Sequence, residues 1–473
     1  MVETFRAMGY SFETAVADII DNSISAGAKN IYINFDWRGE ETTFRIKDDG
    51  RGMDDSELIR ALTPGSRNPN EERASSDLGR FGLGLKTASF SQCRLLTVVA
   101  KKGEGGPVTW SWDLDHVQAS RKWELIKYPI DSVLKSEFKS LQSGTIVLWR
   151  MLDRLVANLK EDDQDALKKF FEVMEKVKRH IAMVFHRFID EKSLIIYFQD
   201  REIEPWDPFL TALSSQGLPE EKLSRSIVVL KGYVLPHKSK LEDTEFKVAA
   251  GIRGWNAHQG FYIYRNKRLL VAGDWLGFFK KEEHHKLARI QLDLPNNMDS
   301  EWQCDIKNSI ARPPLKVRDQ LKAYANKVRS QAVEVYRHKG KIISRKFNGV
   351  SEFQPIWNEK SRGGKRVYVI NVQNPIIKEL LENPSRTKAD IRKALRFIEE
   401  TVPVPLITIR ESEEPELHAQ PFEGVNITEV RDSMSVLFEG LVSSGIGPDD
   451  AIARILSIEP FNLFPEIATT LNS

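Results

Sequence analysis

Residues 17–35, ADIIDNSISAGAKNIYINF, change hydrophobic period within a few residues. Val16, Ile19, Ile20 and Ile24 recur at helical spacing, whereas from Asn30 apolar and polar residues alternate as in a strand with one buried face. A chain that switches period this way builds layers of both element types. Ser11, with Thr14 nearby, is the expected helix start. In that helix Asp18 and Asn22 stand one turn apart on one side, their Cβ atoms roughly 5–6 Å apart. Such a pair can share a water or a metal ion. A carboxylate can take a proton from water, and an amide oxygen can complete a Mg²⁺ shell otherwise made of water and phosphate. A solvated polar face would show the same spacing, so the pair alone does not decide.

The alternation continues to residue 150. Strands are expected near 30–36 and 42–48, a helix near 54–62, then a Gly-rich loop, a helix near 84–91, and strands near 94–100, 108–114 and 144–150. Residues 151–338 open with a long amphipathic helix in DALKKFFEVMEKVKRHIAMVFHRFI. Strand-like runs follow (SLIIYF, SIVVLKGYVL, FKVAAGI, GFYIYRN, ARIQLDL), and the helix PPLKVRDQLKAYANKVRSQAVEVYRH closes the region. From Lys339 the basic stretches RHKGKIISRKFNG and NEKSRGGKR read as a linker and domain boundary. Beyond them VYVINVQNPIIKELL and DDAIARILSIEPFNLFPEIATTL read as amphipathic helices, separated by a charged loop, ESEEPELHAQPFEG.

A chain of 473 residues has room for two or three domains. Its net charge of +2 offers no bulk polycation to nucleic acid or anionic membrane, so any such contact needs a local patch. Cys93 and Cys304 lie far apart, which argues for a reducing compartment and against a disulfide framework or Cys-rich zinc site. The start, MVETFRAMGYSF, lacks the apolar core of a signal peptide, and no 18-residue apolar run occurs. A cytoplasmic protein with no membrane contact is expected.

Two further clusters carry chemistry. IKDDGRGMDD places Asp48 and Asp49 at a strand end, followed by Gly50-Arg51-Gly52-Met53. An acid there can accept from an amino group such as that of adenine, while paired glycines admit a flat base. An ordinary Asp-Gly turn has the same residues. In LGRFGLGLKTASFS, Gly79, Gly82 and Gly84 lead into a helix, whose N-terminal N–H groups and dipole favour an anion. It is no Walker A loop, because Leu85 precedes Lys86-Thr87. Its G-x-x-G-x-G spacing is not the dinucleotide fingerprint either.

Taken in order with SGTIVLW (Ser143, Gly144, Thr145), these clusters resemble the GHKL ATPase family. That family joins DNA gyrase, the large heat-shock chaperone, histidine kinases and the mismatch-repair protein MutL. The resemblance implies an α+β protein: a Bergerat-type α/β sandwich that binds ATP at 1–160, an α/β transducer domain at 161–338, and a mostly helical C-terminal region at 339–473. By position, Asp18 matches the general base, Asn22 the Mg²⁺ ligand, Asp48 the adenine acceptor and Thr145 a supporting contact. Ala26, Gly50, Gly52 and Met53 match residues around the nucleotide. Gly79, Arg80, Phe81, Gly82, Leu83, Gly84, Leu85 and Lys86 match the loop that closes over the phosphates, and TPGSRNPNEERASSD resembles the mobile lid.

QGFYIYRNKRLL resembles the transducer strand and turn of the MORC and MutL branches. In SEWQCDIKNSIARPP, Lys307 matches the lysine that reaches the γ-phosphate, although a surface lysine reads the same way. Arg265, Lys267 and Arg268 suit either a phosphate backbone or plain solvation. The chain departs from most members by carrying Asp18 in place of Glu and Ser25 in place of a second acid. A catalytic group misplaced by about 1 Å can lose roughly a hundredfold in rate. ATP and Mg²⁺ are the implied cofactors. An ATP-bound homodimer, DNA and a nuclease or helicase are the implied partners. The tail resembles bacterial MORC-like ATPases of restriction-modification and phage-defence clusters, which implies a role in antiviral defence. A catalytically idle scaffold and a chaperone-like ATPase remain alternatives. A histidine kinase is set aside because only 17 residues precede Asp18, and a type II topoisomerase because the region after Lys339 is too small for its cleavage module.

Overall fold

The computed structural model describes residues 6, 9–64, 84–130, 132–138, 141–213, 216–223, 228–295, 298, 301–303, 311–341, 356–362, 365–382, 387–404, 407, 419, 422–423, 425–458 and 460–472. It divides into two compact units, Met1–Val335 and Tyr336–Ser473.

In the first unit, helix α1 (Phe12–Ser25) starts at Ser11, whose side chain accepts the Thr14 N–H. Then come β1 (Asn30–Asp36), β2 (Thr43–Asp48), α2 (Asp55–Leu62), α3 (Gly84–Gln92), β3 (Leu95–Lys101), β4 (Val108–Asp113) and β5 (Gly144–Arg150). Every bound lies within one residue of the expected one. The amphipathic helix is α4 (Gln164–Val184), followed by β6 (Ile195–Phe198) and β7 (Arg201–Glu202). The sheet order is β4-β3-β5-β2-β1-β6-β7, with β6 parallel to β1 and therefore reached by a crossover through α4. One apolar core takes Val16 and Ile20 from α1, Phe44 and Trp149 from the sheet, and Phe170, Met174, Val177 and Ile181 from α4. Phe12 meets the Phe44 and Trp149 rings edge-on at 5.0 and 5.6 Å, which fixes α1 against the sheet.

The second sheet runs β12-β11-β13-β10-β8, with β9 beside β10. Its strands are β8 (Gln216–Gly217), β9 (Glu221–Lys222), β10 (Val229–Val234), β11 (Gly260–Arg265), β12 (Arg268–Asp274) and β13 (Ala288–Leu294). Helix α5 (Leu315–Lys341) covers it: Leu321, Tyr324 and Val328 pack with Leu230, Ile263 and Ile290. FKVAAGI, expected as a strand, instead lies in and just past the helix Asp243–Ala249. Glu242 and Glu245 close a capping box at its start, and a short apolar run does not separate the two periods.

The second unit holds an antiparallel hairpin, β14 (Trp357–Arg362) and β15 (Lys365–Ile370). It continues with α6 (Pro375–Glu382), α7 (Lys388–Glu400), α8 (Ile427–Ser443) and α9 (Pro448–Leu456). Two expectations change here. Most of NEKSRGGKR is strand rather than linker, and VYVI is strand rather than helix, because Val367, Tyr368, Val369 and Ile370 suit a pleated surface. The expected loop at 411–424 lies largely outside the described residues. Val430, Met434, Ile455 and Phe461 form this unit's core. Among the described residues no helix is long and apolar enough to cross a membrane.

Candidate functional site around helix α1

Helix α1 buries Val16, Ile19 and Ile20 against the sheet, yet Asp18 and Asp21 are also only 4% exposed. Buried carboxylates need hydrogen bonds or opposite charge. Tyr10 donates its hydroxyl to Asp18 Oδ2 at 2.9 Å. Arg268 arrives from β12 with its Nη2 3.6 Å from Asp18 Oδ1 and its Nε 2.8 Å from Asp21 Oδ1. Asn22 is exposed on the same side of the helix. Its amide nitrogen donates to the Asp18 carbonyl at 2.9 Å, which presents the amide oxygen as the group able to ligate a cation. Lys267, by contrast, is half-exposed and ion-paired to Glu191. Arg265 and Arg268 are each 2% exposed, so neither stands at a surface where a phosphate backbone would lie.

Asp48 closes β2 and is 5% exposed. Ser23, next to Asn22 on α1, donates to its Oδ2 at 2.8 Å, and the Gly50 N–H to its Oδ1 at 2.9 Å. Burial pushes the carboxyl up to about 6; Ser23, Gly50 and Thr145 hydrogen bonds oppose that rise and the Asp49 charge adds to it. Asp49 faces the other way, accepting from the N–H groups of Lys29 and Asn30 and so holding the α1–β1 turn. Thr145 sits opposite Asp48 in the β2–β5 register and is buried.

The glycines of this cluster are set by close backbone approach. Gly52 has φ +65°, and a Cβ on it would stand 1.8 Å from the Lys101 carbonyl oxygen. Gly52→Ala is therefore expected to destabilise the fold by about 3 kcal/mol, measurable as a shift in urea unfolding. Gly50 lies against Ala26, whose Cβ would be 2.9 Å from a Cβ at Gly50, and Ala26 accepts the Arg51 N–H through its carbonyl. Met53 and Leu85 pack on the edge of the core.

Gly84 heads α3 beside the same acid: a Cβ there would lie 3.8 Å from Asp18 Oδ2. Lys86 is 1% exposed, and its ammonium donates to the Ala61 and Thr63 carbonyls at 2.9 and 3.1 Å, capping the end of α2. Gly79, Arg80, Phe81, Gly82, Leu83, most of the expected lid, and Lys307 lie outside the described residues.

The structure thus gathers Asp18, Asn22, Asp48, Gly50, Thr145 and Gly84 around one helix. The sequence reading missed Tyr10, Asp21 and Ser23 and gave Arg268 another role. Tyr10 and Ser23 carried a faint signal, one just before the helix cap and the other beside Asn22. The set fits ATP and Mg²⁺: a buried acceptor at a strand end, an exposed amide oxygen one turn from a carboxylate, and a helix N-terminus beside that carboxylate. Glu282, His284 and His285 could also hold a metal, but Arg329 already donates to His285 Nδ1 at 3.2 Å and pairs with Glu282.

Residues 10–145 match the profile of the histidine kinase-, DNA gyrase B- and HSP90-like ATPases. Over 89 residues the chain is 35% identical to ATPase morc-1 of Caenorhabditis elegans, an alignment that takes in 19% of this chain and 10% of that protein. Among solved structures, the ATPase and transducer domains of DNA topoisomerase II from Balamuthia mandrillaris superpose with a TM-score of 0.39 at 12% identity, covering 70% of this chain and 86% of that one.

Proposed function

We propose, from a GHKL-type ATPase domain at residues 10–145, that the chain binds ATP and hydrolyses it as a conformational switch. The observation that supports this best is the convergence on α1 of an acid, an amide and, through Ser23, the buried acid of β2. Asp48 accepts the adenine amino group, with Thr145, Ala26, Gly50, Gly52 and Met53 around the base. Asn22 offers its amide oxygen to Mg²⁺. When bound, Mg²⁺ neutralises phosphate charge and orients the terminal group. Asp18 takes the proton of the attacking water as its oxygen bonds the γ-phosphorus and the bond to the bridging oxygen breaks. Gly79–Lys86 close over the phosphates and Lys307 reads the terminal one. The second sheet then moves as a transducer within an ATP-bound homodimer that acts on DNA, or with a nuclease or helicase, in antiviral defence.

The test is Mg²⁺-dependent ATP hydrolysis by wild type and Asn22→Ala, with ATP binding measured in parallel. Turnover that vanishes in Asn22→Ala supports the proposal; absence of ATP binding by wild type overturns it. A second reading, a nucleotide-binding scaffold without turnover, is favoured by the guanidinium held beside Asp18. Tight ATP binding with no hydrolysis, even with DNA added, would select it.

The raised Asp48 pKa gives a pH signature. An ionised carboxylate is the stronger acceptor, so lowering the pH through about 6 protonates Asp48 and weakens ATP binding. From pH 7.5 to 5.0 the dissociation constant is expected to rise about tenfold in calorimetric titrations. Asp48→Asn should flatten that dependence.

A further inference from the structure

Trp110 and Trp112 stand two positions apart on β4 and so share one face of the first sheet, the face that carries α2. Their indole N–H groups tie the two ends of that helix. Trp110 donates to Asp55 Oδ1 at 3.0 Å and Trp112 to the Leu62 carbonyl at 3.0 Å. Beyond β4 the chain returns at Ile126, which exchanges backbone hydrogen bonds with Ser111 at 2.8 and 2.9 Å. Leu125 and Lys127, on either side of Ile126, therefore face the same way as the two tryptophans. Trp123 meets the Trp112 ring edge-on, with centroids 5.3 Å apart and planes at 70°. The three indoles and Leu125, with Ile59 of α2 and Thr63 and Pro64 just past it, enclose an apolar cavity of about 530 Å³. None of these residues is among those proposed to hold ATP, and occupancy of the cavity does not depend on that reading.

The walls decide the shape of a guest. The volume is that of a small-molecule site. Two of the three indole N–H groups are spent inside the protein, so the walls offer ring faces and aliphatic groups rather than hydrogen bonds. A flat ring can stack on one indole and turn its edge to another. A proline-rich strand would leave its carbonyls unpaired there. Trp123 is 39% exposed, so a stacked guest also removes indole surface from water.

The rim decides the sign of its charge. The Lys127 ammonium lies over the Trp110 ring, 5.1 Å from its centroid, where an electron-rich face would otherwise take a ligand cation. Asp55 is shared between that ammonium, 3.4 Å away, and the Trp110 N–H. Glu124, next to Trp123, is bonded to His116 at 2.9 Å. A guest cation is repelled by Lys127 and finds both carboxylates engaged. A guest anion finds an ammonium with donors to spare.

We propose that this cavity binds a planar, bicyclic aromatic molecule bearing one anionic group. Its ring stacks among Trp110, Trp112 and Trp123, and its anion rests against Lys127.

The experiment is calorimetric titration of the full chain, without nucleotide, with naphthalenesulfonate as the probe. A trimethyl(naphthyl)ammonium salt, cyclohexanesulfonate and a decaproline peptide run beside it as the cationic, non-aromatic and proline-rich comparators. Naphthalenesulfonate is expected to bind one molecule per chain, about tenfold or more tighter than each comparator. Trp123→Ala should weaken it by about tenfold or more. Lys127→Glu should weaken it as well, and tighten the ammonium probe. Urea unfolding checks that both variants are folded. Lys127 is half-exposed, so Lys127→Glu decides alone should Trp123→Ala fail to fold. Failure of naphthalenesulfonate to bind at millimolar concentration overturns the proposal. So does binding of any comparator as tightly, or an affinity that the folded variants leave unchanged.

Discussion

Asp18→Asn is expected to lower ATP turnover by about a thousandfold while ATP binding stays within a few fold of wild type. Asparagine keeps the volume of the buried side chain and one oxygen for the Tyr10 hydroxyl, so the local packing of α1 is preserved. It cannot take a proton from water. It also leaves Arg268 to Asp21 alone, which keeps the guanidinium paired rather than orphaned. Steady-state phosphate release and equilibrium binding of a non-hydrolysable analogue separate the two quantities. Equal loss of both would show that Asp18 shapes the pocket instead of performing the chemistry.

Asp48→Ala should act on the other side of the site. It removes the acceptor proposed for adenine and leaves the Ser23 hydroxyl and Gly50 N–H without their present partner. A hydrogen bond to a charged group contributes about 1.5–3 kcal/mol, so ATP binding is expected to weaken roughly 10- to 150-fold. GTP offers a discriminating control, because its base carries a carbonyl where adenine has the amino group. Wild type should prefer ATP, and Asp48→Ala should lose much of that preference. A variant that binds both nucleotides as wild type does would place the base elsewhere.

These two acids were legible in the sequence because their signals are local. Asp18 and Asn22 are one helical turn apart, and Asp48 ends a run of alternating residues before two glycines. Periodicity likewise located α1, β1–β5 and the strands of the second sheet around Gly260 and Ala288. What stayed hidden depends on contacts between segments distant in sequence. Nothing near Arg268 announces that it will be buried against α1, and its basic neighbours suggested a surface patch instead. Asp21 looked like another polar residue on the helix until β12 brought its partner. The run FKVAAGI failed for a different reason: it is too short to separate the helical from the strand period, and the capping glutamates decided for the helix.

The parallel pairing of β1 with β6 has a consequence for how the chain is made. Ile31 pairs with Ile196, and α4, which covers α1, lies between them in sequence. A nascent chain therefore exposes parts of α1 and β1 long before α4 and β6, which complete that layer, leave the ribosome. At roughly 5–20 residues per second that delay is about 10–30 s. The segment with the candidate base is therefore made well before it is completed, so premature release of the chain before Phe198 would free a sticky, unfinished layer instead of a working domain.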